Sequence, residues 1–274
     1  MFPLIASHAA SLRVQSPVFL RFMDPSLIHP DFFARLRAGT VRAPAGFSYG
    51  FAAPLFREDA YAELVASFPD VSAFILKDRE SGGGRKRFYV GPRYASAEHH
   101  GCICRLRRIP DIWRAAFDEF SSVSCMESLR AATGIRLNSL ANFGFTYGNE
   151  GCVQEPHIDG AVRSDDLTPI KATIACLIYC NARSGNIGGT EIYLPDRTTR
   201  IFSVPDMRNA FLFFEQHPDA WHGFPPLPAG HDRRLVSLAY SHESPPLRLT
   251  RSFLHRLLCP ANIASHIPIR RHSR

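Results

Sequence analysis

The chain has 274 residues, 45% of them hydrophobic, with 32 lysines and arginines against 25 acidic residues. That is enough for one large domain with a real core, too apolar for a disordered chain, and without the run of roughly 18 apolar residues that a membrane helix needs. The formal charge of +7 suits an anionic small molecule or an acidic partner. The basic bunches at 82–87, 105–108 and 270–271 come without a helical basic stripe or a nucleic-acid motif, so no nucleic acid and no membrane is expected as a partner.

Residues 1–45 read as an N-terminal extension. The opening "MFPLIASHAASLRVQ" has no basic n-region and no clear cleavage site, which points to a cytoplasmic protein. The seven cysteines agree with that compartment, because the number is odd and Cys176 and Cys180 sit in an apolar run, as reduced thiols do. "HHGCIC" (99–104) holds Cys102 and Cys104 but lacks the Cys-x-x-Cys spacing of a zinc site. "DPSLIHPDFFARLRAG" is one short helix candidate within the extension.

Residues 46–135 read as a helical support region. Ala60, Leu64 and Val65 recur at helical spacing and the helix ends before Pro69. "ESGGGRKRF" (80–88) reads as a loop. Residues 111–134 hold two helical stretches, with Gly134 as the stop signal. After Gly134 the character changes. "SLANFGFTYG", "PIKATIACLIYCN", "GTEIYL", "RIFSV", "NAFLFF" and "RRLVSLAYS" are short β-type runs separated by turn-rich segments. Helices followed by many short strands predict an α+β fold, with helices packed on one sheet of a sandwich or jelly-roll core over 136–245. Residues 46–245 would form one domain, and 246–274 a short C-terminal helix and basic tail.

The chemistry gathers in the strand block. In "EPHIDG" (155–160) His157 and Asp159 are two residues apart, so on a strand they offer a nitrogen and a carboxylate oxygen to one face. "FLFFEQHPDAWHGFPPL" (211–227) supplies two candidates for a third ligand. His222 opens an extended, proline-bearing stretch, as a ligand on a strand end would; His217 precedes Pro218 in what reads as a loop. His222 is favoured. Two histidines and one carboxylate with open positions form the facial arrangement of non-haem Fe(II) oxygenases, whereas a structural zinc would fill its positions with protein ligands.

Residues 140 to 242 resemble the Fe(II)/2-oxoglutarate-dependent dioxygenases, in particular the prolyl-4-hydroxylase-like branch. The features come in family order: Tyr147 ten residues before His157, "HID" as His-x-Asp, "CLIYCN" as the strand ending Tyr-Leu-Asn with Cys180 for Leu, "GNIGGTEIYL" as the Gly-Gly-Glu-Leu hairpin, "WHGFPPL" as the distal histidine and its proline, and "RRLVSLAYS" as the strand of the 2-oxoglutarate arginine. Each is weak alone; the ordered set is specific.

The resemblance implies a double-stranded β-helix (jelly roll, cupin-like), with His157, Asp159 and His222 as catalytic iron ligands. It implies Fe(II), 2-oxoglutarate and O2 as cofactor and co-substrates, with ascorbate as reductant. The far carboxylate of 2-oxoglutarate would meet Arg234, with Arg233 as the alternative, and the phenols of Tyr179 and Tyr147. If Arg234 points inward, Val236, Leu238 and Tyr240 share its face; if Arg233 does, Ser237 is inward instead. A carboxylate at 159 argues for hydroxylation or a related oxidation over halogenation. The implied substrate is a small molecule or a metabolite borne on a carrier protein, with Arg85, Lys86, Arg87 and Arg163 as candidate steering charges for an anion. A peptidyl hydroxylase and a non-catalytic jelly-roll binding protein stand as alternatives.

Overall fold

The computed structural model describes residues 26–70, 74–79, 85–90, 110–159 and 173–242, with the backbone alone in 74–79, 85–90 and 141–142. The "HHGCIC" segment, residues 160–171 with Arg163, and the helix and tail expected over 246–274 lie outside the described residues.

In chain order the elements are α1 (Phe32–Ala38), β1 (Thr40–Arg42), β2 (Ser48–Ala52), α2 (Glu58–Ala66), β3 (Phe74–Arg79), β4 (Arg85–Val90), α3 (Asp111–Ser121), α4 (Val123–Thr133), β5 (Ser139–Gly148), β6 (Gln154–His157), β7 (Ile174–Tyr179), β8 (Glu191–Tyr193), β9 (Arg200–Ser203), β10 (Ala210–Glu215), β11 (Trp221–Phe224) and β12 (Arg233–Ser241). The sequence marks the ends of α4 clearly. The Ser122 hydroxyl accepts a hydrogen bond from the Cys125 N–H, and Gly134 takes φ +73° just past the last turn, a conformation that costs other residues far more.

The strands form two antiparallel sheets. The larger has eight strands in the order β1-β2-β10-β7-β12-β5-β4-β3, and the smaller four in the order β6-β11-β8-β9. Counted from β5, the first, third, sixth and eighth strands lie in the large sheet and the second, fourth, fifth and seventh in the small one. The chain therefore crosses repeatedly between two sheets and leaves an interior between them.

Residues 46–135, expected as helical support, also contribute β2, β3 and β4. The loop expected over 80–88 gives way to a strand at Arg85. Arg-Lys-Arg has little intrinsic strand preference; its partners hold it extended, since β4 pairs with β3 along its length and with β5 at Phe88↔Tyr147 and Tyr89↔Thr146.

Two apolar layers result. On one face of the large sheet, Trp113, Phe120 and Leu129 from the helices pack with Phe143, Ile178, Phe211, Val236, Leu238 and Tyr240. On the other, Tyr179, Leu212, Phe214 and Leu235 meet Ile192 of the small sheet. Each fully buried side chain of this kind contributes about 1.5–3 kcal/mol relative to exposure. The middle of the large sheet is covered on both faces, so β12 carries apolar residues on both.

Candidate metal centre

His157 ends β6 and His222 lies in β11, and the two are directly opposite in the antiparallel ladder. Their rings are 4.3 Å apart between centroids. His222 is buried and packs on Phe214, with ring centroids 4.3 Å apart. It also lies opposite Ile192, which fixes its face toward the inter-sheet interior. Asp159 follows β6 and brings Oδ1 to 3.6 Å from His157 Nε2 and 3.5 Å from His222 Nε2. One ligand atom from each of the three lies within 4.8 Å of the others.

The hydrogen bonds fix which nitrogens can ligate. His157 Nδ1 lies 3.0 Å from the Glu155 carbonyl and His222 Nδ1 3.0 Å from the Ala220 carbonyl. A carbonyl only accepts, so each Nδ1 carries hydrogen and donates. In the neutral rings, both Nε2 lone pairs then converge with a carboxylate oxygen. Three acceptors at one point favour a cation between them, either protons or a metal ion. Where protons take that place, burial alone would raise the Asp159 carboxyl, but the charge of His222 and the hydrogen bonds from the protonated His157 and His222 rings outweigh it and hold the group well below the usual carboxylate range. A nitrogen and oxygen donor set without thiolate fits Fe(II) and leaves positions for other ligands.

Two glutamines touch the triad. Gln154 places Nε2 2.5 Å from His157 Nε2, donating to the lone pair that a metal would take, so metal entry displaces that contact. Gln216 donates from Nε2 to Asp159 Oδ2 at 2.9 Å. His217 stands apart from the cluster: its ring stacks on Phe47 and its Nδ1 accepts from the Asp219 N–H.

The candidate co-substrate residues divide between the two faces of the large sheet. Tyr179 is fully buried on the inter-sheet side; its hydroxyl donates to Thr190 Oγ1 at 2.6 Å and accepts from the Thr190 N–H. Arg233 is buried on that side too, donating from Nε to the Gly188 carbonyl at 2.8 Å and from Nη2 to Thr190 Oγ1 at 2.9 Å. Its guanidinium lies 4.2 Å from the centre of the Phe224 ring. Arg234 is on the opposite face. It is paired across the ladder with Tyr147, donates to Asp232 Oδ2 at 2.7 Å and sits over Phe68 in the helix-facing layer. Arg234 and Tyr147 are therefore not brought to the face that holds Tyr179, and Arg233 is. The face expected to carry the arginine, that of Val236, Leu238 and Tyr240, packs against the helices instead.

Sequence reasoning missed Thr190, Gln154 and Gln216. Thr190 had a usable signal: it is two residues before Ile192 in a short strand region, so an inward Ile192 implies an inward Thr190. The glutamines had none, because their role depends on contacts with a triad that only the fold assembles.

No protein-family model and no curated protein sequence matches the chain. Among solved structures it is similar to a Pseudomonas putida prolyl-4-hydroxylase, with TM-score 0.51 and 18% identity over 77% of this chain and 100% of that one. It is similar to the non-heme alpha-ketoglutarate-dependent epimerase SnoN of nogalamycin biosynthesis, with TM-score 0.51 and 15% identity over 76% of this chain and 81% of the other. A 2OG-Fe(II) oxygenase family oxidoreductase from Burkholderia pseudomallei aligns with TM-score 0.51 and 14% identity, over 78% of this chain and 91% of that one. The chain thus has the fold of the 2OG-Fe(II) oxygenases, prolyl-4-hydroxylase among them. Among the described residues no helix is long and apolar enough to cross a membrane.

Proposed function

We propose that this protein is an Fe(II)- and 2-oxoglutarate-dependent oxygenase of the prolyl-4-hydroxylase-like branch, built on a double-stranded β-helix, that hydroxylates an unactivated C–H bond. The observation that carries the reading is the convergence of His157 Nε2, His222 Nε2 and Asp159 Oδ1 within 4.8 Å, with both Nδ1 atoms tied to carbonyls. Fe(II) held by these three residues would supply dioxygen activation coupled to decarboxylation of 2-oxoglutarate to succinate.

The residues of this chain do the rest. Asp159 brings the one negative charge of the ligand set. The backbone contacts at Nδ1 hold the two imidazoles in the tautomer that ligates. Arg233, rather than Arg234, would receive the far carboxylate of 2-oxoglutarate, because its guanidinium is on the inter-sheet face and can make paired hydrogen bonds to a carboxylate. Thr190 stands between Arg233 and Tyr179 and would complete that end. Phe214, packed on His222, and Phe224, under the Arg233 guanidinium, would wall the space against water. Small residues on the same face, Gly144, Ser237 and Ala239, leave room for a ligand.

The substrate class proposed is a small molecule or a carrier-borne metabolite, with the +7 charge supporting an anionic one. The test is turnover: with Fe(II), ascorbate and O2, the purified protein should convert 2-oxoglutarate to succinate, slowly without its primary substrate, and His222→Ala should not. Equal succinate from both proteins would sink the reading.

A further inference from the structure

We propose that Gln216 is a positioning residue that restricts Asp159 to ligation through one oxygen, an inference that rests on the metal centre proposed above. Asp159 presents Oδ1 to both histidine Nε2 atoms, while Oδ2 accepts the Gln216 side-chain N–H at 2.9 Å. The two oxygens thus have different duties. Only Oδ1 faces the point where three acceptors converge. Oδ2 is tied to an amide that sits just past the end of β10, and the Gln216 backbone is itself anchored by donating to the Thr173 carbonyl at 3.0 Å.

The other end of the amide says what this side chain is for. Among the described residues, Gln216 Oε1 is buried and has no hydrogen-bond partner. Leaving a buried carbonyl oxygen unpaired is unfavourable, so the side chain is not kept there to satisfy itself. Turning the amide over would set Oε1 against the Asp159 carboxylate, oxygen to oxygen, which fixes Nε2 as the atom facing Asp159. A carboxylate that gives both oxygens to a metal fills one more coordination position. Holding Oδ2 away keeps that position open, and a 2-oxo acid that chelates through two oxygens needs it.

The test uses Co(II) as the probe, with Gln216→Met, which keeps length and bulk but loses the donor, and Gln216→Ala, which loses both. Co(II) affinity should weaken about ten- to a hundredfold in both variants, as it does when such outer partners are removed. The visible absorption of the Co(II)-loaded variants should also change, reporting altered coordination, while the melting temperature of the metal-free proteins stays close to that of the wild type. Wild-type binding of one Co(II) per chain, with unchanged affinity and spectrum in both variants, would show that Gln216 only fills space. Failure of the wild-type protein to bind Co(II) would overturn the metal centre itself, and this inference with it.

Discussion

His157 and His222 are cross-strand partners: they sit opposite each other on β6 and β11 with ring centroids 4.3 Å apart. The ladder, not a flexible loop, sets their separation. Strand pairing therefore prebuilds two-thirds of the proposed ligand set, and Asp159 closes it from just beyond the end of β6. His157→Ala and His222→Ala should each lower Fe(II) or Co(II) affinity by more than about a hundredfold, beyond the range seen for outer partners alone. His217→Ala should bind as the wild type does, since His217 stacks on Phe47 outside the cluster. Equilibrium metal titration of the three variants checks this.

The same ladder makes Gly223 sensitive. A Cβ there would lie 2.3 Å from the Gln154 carbonyl oxygen and 3.1 Å from that of Glu155, both backbone atoms of β6. Neither can move aside without shifting the strand. Gly223→Ala should force β6 and β11 apart, cost about 1–3 kcal/mol of stability as overpacking does, and weaken metal binding although no ligand is changed. Thermal melts with and without Co(II) separate the two effects.

The arginines should behave oppositely. Arg233→Ala should weaken 2-oxoglutarate binding by about 3 kcal/mol, on the order of a hundredfold, as loss of one partner of a buried charge pair does. Metal affinity should change little, because the far carboxylate is remote from the metal-binding end of the ligand. Arg234→Ala should leave 2-oxoglutarate affinity nearly unaltered, since Arg234 serves Asp232 on the helix-facing side. Calorimetric titration of 2-oxoglutarate into the Mn(II)-loaded proteins decides it.

How legible each feature was follows from the physics of its neighbourhood. β5 and β12 were read from sequence at their observed limits, and the α4 stop at Gly134 was plain, because local signals fix such elements. The His157–Asp159 spacing was legible for the same reason: period two puts both on one face. The orientation of β12 was not. Both of its faces are covered, so alternation of apolar and polar residues gives no inward direction. The bulky set Val236, Leu238 and Tyr240 belongs to the layer under the helices, whereas the face toward the small sheet carries Ser237 and Ala239, where a ligand needs space. Small size, not hydrophobicity, marks the face toward the small sheet, where the co-substrate is proposed to lie. The start of the strand Arg85–Val90 was hidden because pairing with β3, rather than a propensity of Arg85, Lys86 and Arg87, extends it.

Asp159 separates charge from coordination. Asp159→Asn keeps an oxygen donor but loses the anion, and Asp159→Gly removes the ligand altogether. Both should bind Fe(II) poorly and hydroxylate little; the glycine variant, with excess chloride, opens a position for halide. Metal titration and product mass check the pair, and wild-type hydroxylation by Asp159→Gly would remove Asp159 from the ligand set.

The most direct test of the central claim is the visible absorption of the anaerobic Fe(II)-loaded protein as 2-oxoglutarate is added. Chelation of Fe(II) by a 2-oxo acid produces a charge-transfer band, and it needs no primary substrate. The account predicts a broad visible band that saturates at one 2-oxoglutarate per chain, is lost in His222→Ala and is weakened in Arg233→Ala. A wild-type protein that holds Fe(II) yet develops no band at saturating 2-oxoglutarate would contradict it.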